Sequence, residues 1–170
     1  MDIALSHLHD LGHRRLGFVG ESPLLGVTKT IRERRFDEFM TEHGLPVRED
    51  WKLAIDPAAV NSGEPELSRV FARRPDCPTA LVCARDAVAV QALHMLRRLD
   101  LQVPRDVSVT GVGYRESGER HVTSVCYPAE QYAAEVVRAL LAQIGGSASN
   151  RRTLLIPELV VRETTARPKA

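Results

Sequence analysis

A charged pair, Arg85 and Asp86, follows an apolar run and precedes a helical pattern in the segment LVCARDAVAVQAL, residues 81–93. An aspartate placed directly before AVAV can cap a helix, because its carboxylate accepts hydrogen bonds from the free backbone N–H groups of the first turn. An arginine donates through a planar, permanently charged fork and cannot accept. We therefore predict that Asp86 is a structural cap, and these residues alone leave open whether Arg85 belongs to a ligand-binding corner.

Three histidines, His7, His9 and His13, could attract a metal ion. However, His7 and His9 point to different faces of the predicted first helix, and no second group of Cys, Asp or Glu occurs at ligand spacing. Enzyme signatures are also absent from the sequence: it has no G-x-S-x-G elbow and no GxxxxGK(S/T) loop, and the first predicted strand runs into VGESPLLG instead of GxGxxG. We expect no metal, no cofactor and no enzymatic activity.

The composition is typical of one soluble globular domain. The chain has 170 residues, of which 44% are hydrophobic and 26% charged, and its formal net charge of +1 gives no global attraction to nucleic acid. No apolar run approaches the roughly 20 residues that span a bilayer, and no secretion signal opens the sequence. The three cysteines are scattered, which fits a reducing cytoplasm better than a disulfide framework.

Strand-like apolar runs alternate with amphipathic helical patterns, which predicts an α/β fold: a doubly wound, mostly parallel sheet with helices on both faces. The predicted helices are 2–11, 27–44, 62–74, 86–101 and 129–146, and the predicted strands are 16–20, 51–55, 79–84, 107–111 and 121–127, with a final extended segment at 153–165. In such sheets ligands bind beyond the carboxyl ends of the strands. The candidate positions are therefore Glu21-Ser22, Asp56, Arg85-Asp86 and Gly113-Tyr114-Arg115.

Several segments carry a family resemblance: HLHDLGHRRLGFVG, IRERRFDEF, CARDAVAVQALHMLRRLDLQVPRDVSVTGVG, HVTSV and VVRETT. In this order they resemble the lactose/galactose-repressor (LacI/GalR) family of bacterial transcription regulators. The resemblance implies one lobe of a periplasmic-binding-protein-like type I fold, because family members carry a helix-turn-helix, a hinge helix and two α/β lobes that bind an effector between them. The chain starts where the family's second lobe starts, so we expect neither the DNA-binding domain nor the first lobe.

The resemblance also divides the chain. Residues 1–128 correspond to the C-terminal lobe, 129–146 to a crossover helix that in the family packs on the first lobe, 147–165 to a returning strand segment, and 166–170 to a tail that we expect to be frayed. The crossover helix then has an apolar stripe with no partner, formed by Tyr132, Ala133, Val136, Val137, Leu140, Leu141 and Ile144. We predict a homodimer or swapped packing that hides this stripe; the alternative is that the helix folds back on its own sheet.

Effector contacts are implied at matching positions. Arg32 matches the family arginine that points into the cleft, although a solvated helix face is the alternative because Arg34 and Arg35 are its neighbours. Arg85 stands where the family usually has a ligand-contacting asparagine, which favours an anionic or phosphorylated ligand. Gly113 and Tyr114 replace an acidic pair that commonly holds sugar hydroxyls, and Tyr114 could either stack on a ring or close the turn. Together with Ser22, these are the predicted effector-binding residues.

The predicted function is therefore the effector-sensing portion of a LacI-type regulator in the cytoplasm. A small molecule (a sugar, a sugar phosphate or another anionic metabolite) would bind between the lobes and control DNA binding of the intact protein, and this chain would not contact DNA by itself. A solute-binding protein for a transporter is the first alternative. An enzyme on a doubly wound sheet is the second, although the sequence offers no nucleophile–base pair.

Overall fold

A computed structural model describes residues 1–21, 26–56, 59, 62–72, 75–114, 121–146 and 153–169, and at 26–30 and 114 it describes the backbone alone. The strands are β1 (Leu16–Glu21), β2 (Lys52–Ile55), β3 (Ala80–Cys83), β4 (Ser108–Tyr114), β5 (Thr123–Tyr127) and β6 (Glu158–Val160). The helices are α1 (Asp2–Asp10), α2 (Gly26–Glu42), α3 (Glu64–Phe71), α4 (Asp86–Arg98) and α5 (Ala129–Ile144).

The six strands form one sheet in the order β2-β1-β3-β4-β5-β6. The first five strands are parallel to their neighbours, and β6 runs antiparallel to β5. The predicted α/β fold with a mostly parallel sheet is thereby confirmed. The largest difference in a strand bound is at β4, which continues to Tyr114 and not to the predicted 111. Within the extended segment predicted at 153–165, Glu158–Val160 pair as a strand.

Helices cover both faces of the sheet, which explains why β3 is apolar at every position. Leu81 and Cys83 pack in one hydrophobic cluster with α3 and α4, whereas Ala80 and Val82 pack in another with α1 and α2. All four side chains are fully buried. Because successive side chains of a strand point to opposite faces, a strand between two helical layers must be apolar throughout.

The chain end is anchored rather than frayed, so the prediction for the tail is wrong over 166–169. The backbone N–H of Val109 donates to the carbonyl of Thr164 (2.8 Å), and the hydroxyl of Thr164 donates to the carbonyl of Val109 (2.7 Å). The Ser108 hydroxyl donates to the carbonyl of Ala166 (3.1 Å), and the Lys169 ammonium pairs with Asp106 (2.6 Å). These bonds satisfy backbone groups at the start of β4, which is why the segment stays attached.

Helix α5 does not fold back on the sheet, which removes the alternative considered for its apolar stripe. None of its side chains is buried, and its large apolar residues are between 49% and 74% exposed. These residues are Tyr132, Val136, Val137, Leu140, Leu141 and Ile144. Within the part of the chain that the structure describes, no helix is both long and apolar enough to cross a membrane.

Candidate functional site

The carboxyl ends of β1, β3 and β4 lie side by side, because these three strands are parallel and β3 pairs with both of the others. This edge carries Glu21 at the end of β1, Arg85 and Asp86 after β3, and Gly113 in β4. Parallel sheets bind ligands at this edge. Four of the eight positions predicted from the sequence therefore come together in space.

Arg32 reaches this edge from helix α2. Its Nη1 donates to the carbonyl of Ala84, the residue that follows β3. Its neighbour Arg34 differs: the Arg34 side chain is 79% exposed and pairs with Glu38 of the same helix at 3.0 Å. Arg32 is therefore directed towards the sheet edge and not onto a solvated helix face. Its Nε and Nη2 make no further hydrogen bond to any residue that the structure describes.

Arg85 forms an ion pair with Glu21 across the ends of β3 and β1. A single guanidinium nitrogen, Nη1, lies 3.0 Å and 3.1 Å from the two carboxylate oxygens of Glu21. The Arg85 side chain is 46% exposed and the Glu21 side chain 17% exposed. Arg85 lies partly exposed at the sheet edge, and its charge is compensated by Glu21, which the sequence did not indicate.

Asp86 does not occupy the capping position, and the prediction of its role needs correction. Helix α4 begins at Asp86 itself, so the N-cap residue is Arg85, which has extended backbone angles and makes no side-chain cap bond. The Asp86 carboxylate is buried and its Oδ1 accepts a 2.6 Å hydrogen bond from the hydroxyl of Ser124 in β5. Its negative charge still lies in the first turn, where the helix dipole favours it.

Two glycines of β4 make room for this carboxylate. A Cβ on Gly113 would lie 1.9 Å from Oδ2 of Asp86, and a Cβ on Gly111 would lie 2.3 Å from Oδ1. Neither glycine has a positive φ. Glycine is required at both positions because the Asp86 carboxylate lies close to the backbone, and not because the backbone adopts a left-handed conformation. Burial, together with the nearby charge of Asp86, also raises the pKa of the Cys83 thiol, which stays protonated.

Four other predicted positions add less to the described site. Ser22 and Arg115 lie outside the described residues, and Tyr114 is described only as the last residue of β4, so its two alternatives stay open. Asp56 follows β2, and its backbone N–H donates to the hydroxyl of Ser62 (2.9 Å). Ser124 was not predicted from the sequence, where its only signal is a hydroxyl between two residues of the short predicted strand HVTSVCY.

The histidines considered as metal ligands have structural partners. His13 is 1% exposed, and its ring nitrogens bond to the Thr79 hydroxyl (2.9 Å) and the Ala166 carbonyl (2.8 Å). Because a carbonyl only accepts, Nε2 carries the proton of the neutral ring. Burial lowers the pKa of His13. His7 bonds to the Thr165 hydroxyl at 3.0 Å, so both side chains tie the chain end to α1.

Known proteins share this architecture. Residues 5–165 match the family model described as a periplasmic binding protein-like domain. The chain is 33% identical to the HTH-type transcriptional regulator reg1 of Streptomyces lividans, over 98% of this chain and 49% of that protein. A solved LacI family transcriptional regulator from Mycobacterium smegmatis is 30% identical with a TM-score of 0.75, over 98% of this chain and 63% of that one. The solved CelR–cellobiose complex is 29% identical with a TM-score of 0.73, over 93% and 49%.

The mostly parallel sheet and the match to the family model identify a periplasmic-binding-protein-like domain. Within that class, the chain belongs to the LacI/GalR family of transcription regulators and corresponds to part of their C-terminal, effector-binding region. The chain spans about half the length of the curated relatives it matches, 49% in the case of reg1.

Proposed function

We propose that the carboxyl edge of this sheet forms one wall of an effector cleft, and that the chain is the sensing portion of a LacI-type regulator. The observation that carries the proposal is the convergence of Arg32 and Arg85 at the end of β3, in a chain that belongs to this family. The cellobiose bound to the related CelR protein supports a sugar as the class of effector. The relatives are transcription regulators, which favours sensing over transport or catalysis.

Each predicted residue has a defined role in this proposal. Arg32 donates to effector hydroxyls through the guanidinium nitrogens that Ala84 leaves available, and Arg85 donates beside it. Gly113 leaves room for the Asp86 carboxylate at this wall. Ser22, which follows Glu21 in the sequence, and Tyr114, the last residue of β4, are the further effector contacts that we propose. An effector held between this wall and a facing lobe favours one interlobe arrangement by its differential affinity, and so changes the DNA affinity of the intact cytoplasmic protein.

The test compares two arginines of the same helix. We would titrate the isotope-labelled chain with a panel of neutral mono- and disaccharides that includes cellobiose, and follow backbone amide shifts. Arg32→Gln should weaken sugar binding by about tenfold, the value of one charge-assisted hydrogen bond. Arg34→Gln, which removes the same charge from the solvated side of α2, should leave it unchanged. Shifts that map away from the ends of β1, β3 and β4, or equal effects of both variants, would contradict the proposal.

We also propose that 129–146 is the crossover helix and that its apolar stripe is the contact surface of a homodimer. Six large apolar side chains are exposed on α5, and leaving each one in water costs about 1.5–3 kcal/mol relative to burial. A second copy of the chain would cover them through a two-fold contact.

Sedimentation across micromolar concentrations tests this contact. The unchanged chain should sediment as a dimer, and Leu140→Asp should weaken the dimer by about tenfold or more. Gln131→Asp is the matched control: it adds the same charge nine residues earlier, which is about 180° around the helix. A chain that stays monomeric over the whole range would refute the dimer and leave the sensing proposal in place.

A further inference from the structure

We propose that Glu21 is a specificity residue of the cleft: it neutralises Arg85, so that this wall selects an uncharged hydroxyl ligand over a phosphorylated one. This inference rests on the proposed function and reverses the preference for an anionic ligand that Arg85 suggests when it is considered alone. It follows from the ion pair that the fold creates between the ends of β1 and β3.

The charges at the described edge balance. At the ends of β1, β3 and β4 the described residues include two basic groups, Arg32 and Arg85, and two acidic groups, Glu21 and Asp86, so the formal charges of these four cancel. A phosphate brought to Arg85 would approach the Glu21 carboxylate as well, because both carboxylate oxygens lie within 3.1 Å of Nη1. Like charges at this separation repel, and removing a phosphate from water adds to the cost.

The same pair suits an uncharged polyol. The Arg85 Nε and Nη2 donors make no bond to another described residue, and the Glu21 carboxylate can accept further hydrogen bonds at its unused lone pairs. A hydroxyl both donates and accepts, so two neighbouring sugar hydroxyls can bridge the carboxylate and the guanidinium without leaving a buried charge unpaired. Glu21 thus provides a carboxylate acceptor at an edge where Gly113 provides no side chain.

The test uses inorganic phosphate, which requires no knowledge of the effector. We would titrate phosphate into the unchanged chain and three variants and measure affinity from amide shifts at the ends of β1 and β3. Glu21→Gln keeps the size of the side chain and frees the charge of Arg85, so phosphate affinity should rise about tenfold. Glu38→Gln removes the same charge from an ion pair on the outer side of α2 and should give no gain. The double variant Glu21→Gln/Arg85→Gln should lose the gain.

A second measurement needs no variant: the unchanged chain should show no saturable phosphate site around Arg85, and glucose 6-phosphate should bind no better than glucose. Phosphate saturation at Arg85 in the unchanged chain would overturn the inference, and so would a folded Glu21→Gln chain with no gain over Glu38→Gln. Neither result depends on which sugar is sensed. In either case sugar binding at this edge remains compatible with the sensing proposal. Conversely, sugar-induced amide shifts away from this edge would contradict the sensing proposal without changing the result for phosphate.

Discussion

The close contact between Gly113 and the carboxylate of Asp86 gives a sharp prediction for Gly113→Ala. The added Cβ would lie 1.9 Å from Oδ2, 2.5 Å from Cγ and 3.2 Å from Cβ of Asp86. The first two distances are shorter than the contacts that Cβ atoms make in proteins, so the carboxylate must move. The movement separates Oδ1 from the Ser124 hydroxyl, which now donates to it over 2.6 Å in a site where Ser124 is fully buried.

The expected loss of stability can be worked from these contacts. Overpacking costs about 1–3 kcal/mol, and a lost hydrogen bond to a charged group costs about 1.5–3 kcal/mol. Alanine restricts the unfolded chain more than glycine does, which offsets about 0.4–1 kcal/mol of the loss in the free energy of unfolding. The backbone of Gly113 is open to alanine, so strain adds nothing. We expect the free energy of unfolding to fall by about 2–5 kcal/mol, a large part of the stability of a small domain.

Urea unfolding followed by circular dichroism measures this loss. The control is Gly145→Ala at the end of α5, where the nearest atom to an added Cβ is 3.4 Å away and φ is −76°. There we expect a change within about 0.5 kcal/mol. An Asp86→Ala background provides a further test. The contacts with Oδ2 and Cγ are gone there and only the 3.2 Å contact with the Cβ of residue 86 remains, so Gly113→Ala should cost much less than in the unchanged chain. Additive losses in the double variant would refute the collision as the cause.

Three further outcomes test the rest of the structure. Burial lowers the pKa of His13 below its ordinary 6.5, so the unfolded chain takes up the proton at a higher pH than the folded chain. The free energy of unfolding should therefore fall as the pH falls below 6.5, and it should fall less in His13→Gln. An equal fall in both chains would exclude His13 as the cause. Deleting 166–170 should cost about 1–3 kcal/mol in urea unfolding, and Lys169→Ala alone less than about 0.5 kcal/mol. Thiol reagents should modify partly exposed Cys77 first and buried Cys83 only on unfolding, and fast labelling of Cys83 would contradict the assigned core.

Only part of the candidate site could be predicted from the sequence. The position of Arg85 after a buried strand could be predicted, because parallel strands bring their carboxyl ends to one edge. The role of Asp86 was predicted wrongly, since local sequence shows a helix start but not the hydroxyl of Ser124, which comes from a strand two places away in the sheet. The pair between Arg85 and Glu21 was also missed, because its partners are 64 residues apart in the chain.

For the chain end and α5 as well, the sequence predicted local features but not contacts with distant residues. The sequence predicted both the apolar stripe of α5 and the extended approach to the end, because the period of apolar residues is a local property. It could not show that Ala166 bonds to His13 and Ser108, since a short polar tail has no periodicity that reports distant partners.

The sequence by itself determined the alternation of strands and helices, the parallel sheet and the family, since each of these depends on residue order and spacing within short segments. Tertiary structure alone decided which charges are compensated, which carboxylate is buried and which helix face is left exposed. These properties depend on distances between residues far apart in the chain, and electrostatic and packing energies change steeply over one or two ångströms.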